Sequence, residues 1–340
     1  MLKSRPHIAV IGAGMAGLAC ATTLQNAQCV VTVFDKSHRP AGRMSTRHDG
    51  DWQSDHGAQY FTARDPVFRA ELARWIQAGA AAAWEPRLAV LDDTMRPIYP
   101  TRPGKLERFV GTPSMTSPGD LLAASLVVRT QSTIVELRRE ARYWHLHTTE
   151  HGGVHGPFDS VVLAVPAPQA APLLRDVAPE FAAVANGTLM RGCWALMLRF
   201  AETVGLPFDA AFVNHGPLRW VARNSSKPTR NQPESWILHA TAEWSEAHPN
   251  DRVESVAALM LKEFARIGGP SPVAWIAHRW RYAQVAPTDA TAPGFAWSGE
   301  YGLGLCGDWL NSGRVEGAWL SGKALAEEIV RSLGLPRDAQ

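Results

Sequence analysis

Three glycines near the amino terminus have the spacing of a loop that holds a phosphate group. Gly12, Gly14 and Gly17 follow the apolar run His7–Ile11 and precede a helical stretch, so the loop joins a buried strand to a helix. Such glycines allow a tight turn, a close approach of the backbone to a pyrophosphate and close packing of helix on sheet, while the helix offers free N–H donors. A second apolar run ends at Asp35, 23 positions after Gly12, where a carboxylate can bind ribose hydroxyls. The whole unit predicts a dinucleotide site.

The composition excludes several classes of protein. The chain has 340 residues, a formal net charge of +2 and 46% hydrophobic residues, so it can bury a large core and is neither disordered nor fibrous. The balanced charge gives no general attraction to nucleic acid or acidic membranes, and no apolar run reaches the roughly 18 residues of a membrane span. The four cysteines form no Cys-x-x-Cys pair. We therefore expect a reduced, cytoplasmic protein without a metal site, a nucleic-acid partner or a membrane partner, and the oligomeric state stays open.

Apolar patterning predicts two kinds of sheet. Short runs without alternation are typical of buried parallel strands, and they occur at His7–Ile11, Cys29–Phe34, Ser160–Val165 and Leu303–Cys306. Between them, patterned segments predict an antiparallel meander over Thr133–Leu137, Tyr143–Thr149 and the residues near Phe158. Because the parallel strands lie at both ends of the chain, their sheet must be assembled from distant segments. We expect the intervening residues to form a second domain.

The remaining elements are predicted from caps, periodicity and loop composition. One helix is expected to have Ser117 as its cap and Pro118 at its first position, and Asn250 is expected to cap another. The other helices are expected over Asp65–Ala78, Asn250–Arg266 and Val315–Leu333. Strands are expected over Trp194–Phe200, Arg219–Ala222, Trp236–Ala242 and Val273–Trp280. Loops are expected over Arg96–Met115 and Arg223–Pro233.

Further segments resemble one flavoprotein family. Together with the glycine loop, they resemble the FAD-dependent amine-oxidase superfamily, and in particular the bacterial renalases; these segments are Arg39–Met44, Asp55–Phe61, Gly307–Trp309 and Gly313–Ala318. Three segments outside the cofactor domain also resemble renalase sequences: Trp220–Arg230, Trp236–Thr241 and His278–Tyr282. The resemblance therefore covers nearly the whole chain.

The resemblance implies an α/β fold in which a second domain covers a flavin. The first domain would be an FAD-binding, doubly wound, Rossmann-like domain of the p-hydroxybenzoate-hydroxylase type, formed by residues 1–65, 116–166 and 285–340. A discontinuous mixed-sheet α+β substrate domain would comprise residues 66–115 and 167–284. The FAD would be non-covalent, because no cysteine follows the last glycines. The residues implied to bind it are Gly12, Gly14, Ala16, Gly17, Asp35, Lys36, Arg43, Gln59, Tyr60, Ile134, Asp308 and Val315.

The resemblance also implies an activity. Renalase-like proteins take hydride from the 2-dihydro and 6-dihydro isomers of NAD(P), give NAD(P)+ and reduce oxygen to hydrogen peroxide. By position in the matching segments, the residues expected near the ring site are Tyr60, Trp194, Trp280 and Arg314. Trp194 could equally be a core residue. The partners implied are therefore a small dinucleotide and oxygen.

Some alternatives stay open at the level of sequence. The chain could be an oxidase of an unknown amine, a flavin-binding redox module without turnover, or a nicotinamide-dependent dehydrogenase. The basic loop residues Arg223, Lys227 and Arg230 could meet the substrate's pyrophosphate, although a solvated loop is favoured. Ala41-Gly42 stands where the superfamily often has two glycines, which adds a methyl group near the cofactor. The sequence does not indicate which dihydro isomer, or which of NAD and NADP, is preferred.

Overall fold

The computed structural model describes residues 5–99, 106–230, 233–287 and 293–335. Its strands are β1 (His7–Ile11), β2 (Val30–Phe34), β3 (Thr46–Asp49), β4 (Trp52–Asp55), β5 (Ala81–Ala83), β6 (Leu88–Leu91), β7 (Pro97–Ile98), β8 (Phe109–Gly111), β9 (Val127–Arg129), β10 (Ile134–Glu140), β11 (Tyr143–Thr148), β12 (Val154–Phe158), β13 (Ser160–Leu163), β14 (Met190–Arg199), β15 (Ala210–Val213), β16 (Leu218–Arg223), β17 (Ser235–Ala240), β18 (Ala274–Val285), β19 (Ala296–Ser298) and β20 (Leu303–Leu305).

The helices are α1 (Met15–Asn26), α2 (Pro66–Gln77), α3 (Ser117–Ala123), α4 (Ala167–Leu174), α5 (Pro179–Asn186), α6 (Ala242–Ala247), α7 (Val253–Arg266) and α8 (Val315–Ser332). Short 3-10 turns cover Glu150–Gly152, Asn224–Ser226 and Asp308–Leu310. Within the described ranges, no helix combines the length and the hydropathy needed to cross a membrane.

The first sheet confirms the fold expected from the sequence. Its six strands lie in the order β19-β20-β13-β1-β2-β9, and all neighbours pair in parallel except β19 with β20. In the centre, Ala9 pairs with Val161 on one side and with Thr32 on the other. The strands are apolar without alternation because both faces are covered. The carboxyl ends of β1 and β2 meet at one edge, where the glycine loop and Asp35 follow them.

The meander β10-β11-β12 is antiparallel, as expected, and packs on one face of the first sheet. Helices α4 and α5 bury their alanines in the same core, together with Phe34 and Leu163. The sequence assigned 167–284 to the substrate domain, but the structure groups these two helices with the first domain instead. After α5 the chain returns to the second sheet at Met190, where β14 begins.

The second sheet has seven strands in the order β18-β14-β17-β16-β15-β6-β7, and only β15 with β6 is parallel. Side chains alternate across it. Leu196 and Leu198 lie in an outer core with α7, whereas Ala195 and Met197 lie in the core shared with the first domain. The inner face of the second sheet therefore packs on the first domain. We call this seven-stranded sheet the roof.

Several local predictions are corrected by the structure. The expected loop Arg96–Met115 contains β7 and β8, while residues 100–105 lie outside the described residues. Strand β17 ends at Ala240 because the Thr241 side chain accepts a hydrogen bond from Trp244 N and caps α6. Helices α3 and α7 have Thr116 and Arg252 at their N-caps, in place of Ser117 and Asn250. Of the loop predicted over Arg223–Pro233, residues 231–232 lie outside the described residues.

Candidate active site

The three glycines of the loop differ in role: two are needed for packing and one leaves space for a ligand. Gly12 has φ +108°, and a Cβ there would lie 2.7 Å from the carbonyl oxygen of Ala164. A Cβ on Gly17 would overlap the carbonyl oxygen of Gly12. A Cβ on Gly14, by contrast, would meet no described heavy atom within 4 Å. The folded chain itself therefore requires Gly12 and Gly17, whereas Gly14 keeps space free beside the backbone, as a bound pyrophosphate needs.

The start of α1 is suited to an anion. Its N-cap is Gly14, which provides no side-chain cap, and the first turn contains no acidic residue. The helix N–H groups and the positive end of the helix dipole are thus not neutralised by side chains there. Ala16 packs against α8, since a Cβ on Gly322 would overlap the Ala16 carbonyl oxygen. This close crossing fixes the two helices relative to each other.

Asp35 holds the glycine loop. Its Oδ2 accepts from Ala13 N at 2.6 Å, and its Oδ1 accepts from Ser37 N at 2.7 Å. Each carboxylate oxygen keeps acceptor capacity for a ribose hydroxyl. Of the two other predicted contacts nearby, Lys36 is exposed, whereas the Ile134 side chain is buried in the core, so only the Ile134 backbone is available to a ligand.

Arg43 and Asp308, both expected at the cofactor, pair with each other. The guanidinium donates to the two carboxylate oxygens at 3.0 and 2.5 Å and to the carbonyl oxygen of Ala283 at 3.3 Å. Asp308 is buried and Arg43 is half-buried. Arg43 lies between β2 and β3, and it contacts Ala283 on β18 and Asp308 just after β20. It therefore joins three segments that are distant in the sequence. The guanidinium thus makes a bidentate contact with the Asp308 carboxylate.

The turn before Arg43 differs from expectation. Ala41 has φ +84° and is buried, and its N–H donates to the Ala13 carbonyl oxygen at 2.8 Å. Its methyl group faces α3, since a Cβ on Gly119 would lie 2.6 Å from the Ala41 Cβ. The additional methyl predicted near the cofactor is thus packed against a helix.

This packing leads to a prediction. Gly119→Ala should lower the free energy of unfolding by about 1–3 kcal/mol through overpacking. Adding Ala41→Gly should recover part of that loss, because it removes the opposing methyl group and a non-glycine residue with positive φ, while the Cα of residue 41 would still lie 2.9 Å from the new Cβ. Gly187→Ala is the control, since a Cβ there would make contacts no closer than 3.4 Å. Chemical denaturation compares five proteins: the wild type, the two single variants, the double variant and the control. Additive effects of the two substitutions would contradict the contact.

Two of the predicted site residues lie at the start of helix α8. Val315 is its first residue and is half-buried, while Arg314, at the N-cap, is exposed. Glu316 in the first turn is buried and accepts from Arg64 N at 2.6 Å and from Asp65 N at 2.7 Å. Glu316 therefore anchors the start of α8 to the start of α2.

A buried ionic cluster lies between the two domains. Lys227 Nζ and Arg230 Nη2 each lie 2.9 Å from Asp55 Oδ2, and the three side chains have no exposed surface. Sequence reasoning favoured a solvated loop at Lys227 and Arg230, which is wrong, since both pack against the end of β4. Burial alone would raise the pKa of Asp55, but Lys227 and Arg230 outweigh it and hold that pKa well below its ordinary value. The cluster carries two cations for one carboxylate.

Gln59 and Tyr60 follow this cluster along the chain. The Gln59 amide donates to the carbonyl oxygen of Asp55 at 2.6 Å and accepts from Lys227 Nζ at 3.2 Å. The half-buried Tyr60 ring lies 5.7 Å from the Trp220 ring and 6.4 Å from the Trp84 ring, between centroids. Tyr60 thus belongs to an aromatic cluster on the inner face of the roof.

The aromatic cluster includes residues that sequence reasoning missed. Arg108 lies over the Tyr60 ring at 5.3 Å, and Lys227 lies 5.6 Å from the Trp84 ring. Trp220 belongs to a segment that resembles renalase sequences, so a signal for it existed. No motif marks Trp84 or Arg108, which reach the cluster only through the folding of β5 and β8.

The structure separates Trp194 from Trp280. In the register of β14 and β18, Trp194 pairs with Arg279 and Cys193 pairs with Trp280, so the two tryptophans point to opposite faces. Trp194 is buried in the outer core and donates to the His248 carbonyl oxygen at 3.0 Å. Trp194 therefore lies apart from the other predicted site residues. Its position agrees with the alternative that it is a core residue.

Trp280 lies on the inner face. It stacks on His56 with centroids 5.1 Å apart, and its indole donates to the His56 carbonyl oxygen at 2.9 Å. His239 Nε2 lies 3.1 Å from the same oxygen. Two strands of the roof therefore hold the backbone just before the segment that contains Gln59 and Tyr60.

The imidazole of His56 is kept neutral. Burial lowers its pKa to about 3, with additional lowering from the neighbouring His278 and His239. Since the pKa is lower in the folded than in the unfolded chain, the resulting stability is complete above pH 6.5 and is lost as the pH falls. Each pH unit below 6.5 costs about 1.4 kcal/mol for this group.

His56→Phe should remove this pH dependence. Phenylalanine keeps a flat ring against Trp280 and cannot take up a proton. Between pH 7 and pH 5 the variant should lose about 2 kcal/mol less free energy of unfolding than the wild type. Urea denaturation at the two pH values measures the difference, and equal losses would contradict a neutral buried His56.

Comparison with known proteins decides the family. A family model described as flavin containing amine oxidoreductase matches residues 106–330, and one described as NAD(P)-binding Rossmann-like domain matches residues 10–75. The chain belongs to the flavin-containing amine oxidoreductase family. It is a flavin-dependent oxidoreductase, and the glycine loop, the uncapped α1 and the space at Gly14 fit such a cofactor.

Individual relatives agree with this family. Renalase from Mus musculus is 24% identical over 309 residues, which cover 85% of this chain and 88% of that protein. A putative protoporphyrinogen oxidase from Exiguobacterium sp. 255-15 has a TM-score of 0.77 at 14% identity, covering 97% and 99% of the two chains. Cyclohexylamine oxidase from Brevibacterium oxydans IH-35A has a TM-score of 0.75 at 11% identity, covering 97% and 100%. The two structures share the fold with this chain.

Proposed function

We propose that this protein is an FAD-dependent oxidase of isomeric dihydronicotinamide dinucleotides. It would take hydride from 2-dihydro- and 6-dihydro-NAD(P), release NAD(P)+ and reduce oxygen to hydrogen peroxide. The similarity to renalase over most of the chain supports this substrate class. Binding of FAD without a covalent bond belongs to the same proposal.

The charge around the aromatic cluster is the observation that carries the proposal. Arg108 and Lys227 lie against its rings, and the only carboxylate bonded to Lys227 among the described residues is Asp55, which Arg230 shares. A protonated amine would be repelled by this excess of positive charge. A neutral dihydropyridine with an anionic pyrophosphate would not. The cluster therefore favours a dinucleotide over an amine as substrate.

The residues of the chain would divide the work of binding. The glycine loop and α1 would hold the FAD pyrophosphate, and Asp35 the ribose. Tyr60, Trp84 and Trp220 would hold the substrate ring flat and exclude water. When bound, the flavin would supply the two-electron acceptor for the hydride, which leaves the substrate as an aromatic pyridinium, and the path of both electrons to oxygen. Oxygen would take up these electrons with the proton of the hydride and one proton from solvent, giving hydrogen peroxide. No nucleophile or metal is required.

A panel of candidate substrates, each supplied separately, tests the proposal. The purified protein is supplied in air with 6-dihydro-NAD, 2-dihydro-NADP, ordinary 4-dihydro-NAD, cyclohexylamine or putrescine, and peroxide is measured against a free-FAD control. Peroxide should form rapidly only with the 2-dihydro and 6-dihydro isomers. Turnover of an amine alone would identify an amine oxidase instead, and no peroxide above the control would identify a module without turnover. Acid precipitation should release intact FAD into the supernatant, whereas yellow precipitate would show a covalent bond.

A further inference from the structure

Trp220 carries a buried hydrogen-bond donor that the chain leaves unused. Trp220 is 5% exposed, and its Nε1 atom is buried without a hydrogen-bond partner among the described residues. Two other indoles near the site are satisfied. Trp84 Nε1 donates to Ser226 Oγ at 3.2 Å, and Trp280 Nε1 donates to the His56 carbonyl oxygen at 2.9 Å. Trp220 therefore differs from these two tryptophans in the pairing of its N–H group.

An unpaired buried donor is unfavourable and uncommon in folded proteins. It is compatible with a stable fold where a ligand supplies the acceptor, and sites that hydrogen-bond a substrate discriminate strongly against analogues that lack the bonding atom. The N–H of Trp220 thus indicates a ligand with an acceptor atom close to its ring.

The position of Trp220 places this donor in the aromatic cluster. It lies on β16, with its ring centroid 5.7 Å from Tyr60 and 4.8 Å from Phe212. Tyr60 and Phe212 are half-buried, whereas Trp84 and Trp220 are buried. A flat ligand against the half-buried Tyr60 or Phe212 ring would therefore lie beside Trp220, whose ring centroid is 5.7 Å and 4.8 Å from theirs.

We propose that Trp220 Nε1 donates a hydrogen bond to the carboxamide oxygen of the nicotinamide ring and so determines specificity for it. This inference rests on the proposed function, since it names the atom by which that substrate is recognised. The carboxamide oxygen of a dihydropyridine is a strong neutral acceptor because the ring nitrogen donates electron density to it through the conjugated double bond. An aliphatic amine offers no such atom and would leave the donor unpaired.

Dinucleotide analogues test the hydrogen bond without turnover. NAD+, its 3-acetylpyridine analogue, which keeps the carbonyl oxygen, and its thionicotinamide analogue, which replaces that oxygen with a weak sulfur acceptor, are titrated into the oxidised protein. Binding is followed by the change in flavin absorption. The wild type should bind NAD+ and the acetylpyridine analogue similarly and the thio analogue about tenfold more weakly.

Two matched variants identify the donor. Trp220→Phe should bind all three ligands with equal affinity, about tenfold below that of wild type for NAD+. Trp84→Phe should keep the preference for oxygen over sulfur, because its N–H is already bonded to Ser226. Without ligand, Trp220→Phe should lower the unfolding temperature less than Trp84→Phe, since it removes an unpaired donor and the other removes a hydrogen bond.

The outcomes separate the two proposals. A Trp220→Phe protein that still prefers oxygen over sulfur would overturn the role of Trp220 while the wild type, by binding NAD+, would still support the proposed function. A wild type that binds none of the three ligands but oxidises amines would overturn both. Loss of the preference in Trp220→Phe alone is the result expected.

Discussion

Replacing Gly14 with valine should give a folded protein that binds flavin at least about a hundredfold more weakly, a loss of about 2.7 kcal/mol. Gly14 has φ −78° and ψ 179°, a conformation open to any residue, and its Cβ would meet no described atom within 4 Å. The chain therefore tolerates a side chain there, whereas a pyrophosphate against the backbone does not. The measurement is the ratio of flavin absorption to protein in the purified variant, together with circular dichroism.

Two further glycine variants serve as controls for this experiment. Gly205→Val also places a side chain in open space, on an exposed loop, and it should remain yellow. Gly17→Val would overlap the Gly12 carbonyl oxygen and should fail to fold. A Gly14→Val protein with full flavin content would show that the loop does not hold the cofactor.

Replacing Asp55 with asparagine should destabilise the protein by about 3–5 kcal/mol. The substitution keeps the size of the side chain but leaves Lys227 and Arg230 buried without a counter-charge, which is far more costly than losing an exposed pair. Because the pKa of Asp55 is held below its ordinary value, its stabilising effect is complete above pH 4 and declines only in stronger acid. The difference between variant and wild type should therefore be constant from pH 6 to pH 8.

An exposed carboxylate provides the control for Asp55. Asp51 pairs with Arg199 at 2.6 Å, and both side chains are partly or largely exposed, so Asp51→Asn should change stability by at most about 1 kcal/mol. Urea denaturation of the flavin-loaded proteins compares the two variants. Equal, small effects at both positions would contradict a dry cluster between the domains.

The sequence predicted the first domain well because its signals are local. The glycine spacing, the apolar run of β1 and Asp35 all fall within one strand-helix-strand unit, and each has a direct structural meaning. The parallel strands at both ends of the chain likewise predicted a sheet assembled from distant segments. The family resemblance was confirmed for the same reason, since its motifs lie in continuous segments.

The site residues contributed by the roof could not be deduced in this way. Alternation along β18 separates Trp280 from its neighbours Arg279 and Arg281. The outward direction of Trp194, however, depends on the pairing of β14 with β18, whose register includes a bulge between Arg191 and Cys193. A single sequence contains no information on that register. Trp194 was therefore grouped with residues on the other face.

Long-range pairing explains the misjudged basic loop. Lys227 and Arg230 lie in a segment of polar residues and proline, which is typical of a solvated loop. Their carboxylate partner, Asp55, lies 172 and 175 positions away in the sequence. The packing of α4 and α5 on the first sheet was missed for a related reason. Pro166 and Pro168 end β13, but the alanine-rich helices that follow return to the same core.

One anaerobic titration tests the central claim most directly. Increments of 6-dihydro-NAD are added to the oxidised protein in the absence of oxygen. The absorbance of the visible band of the oxidised flavin is measured after each addition. We predict that one equivalent of dinucleotide for each bound flavin removes the band, that NAD+ appears in the same amount, and that air restores the band with release of peroxide. A band that persists in excess 6-dihydro-NAD, while an amine removes it, would contradict the account.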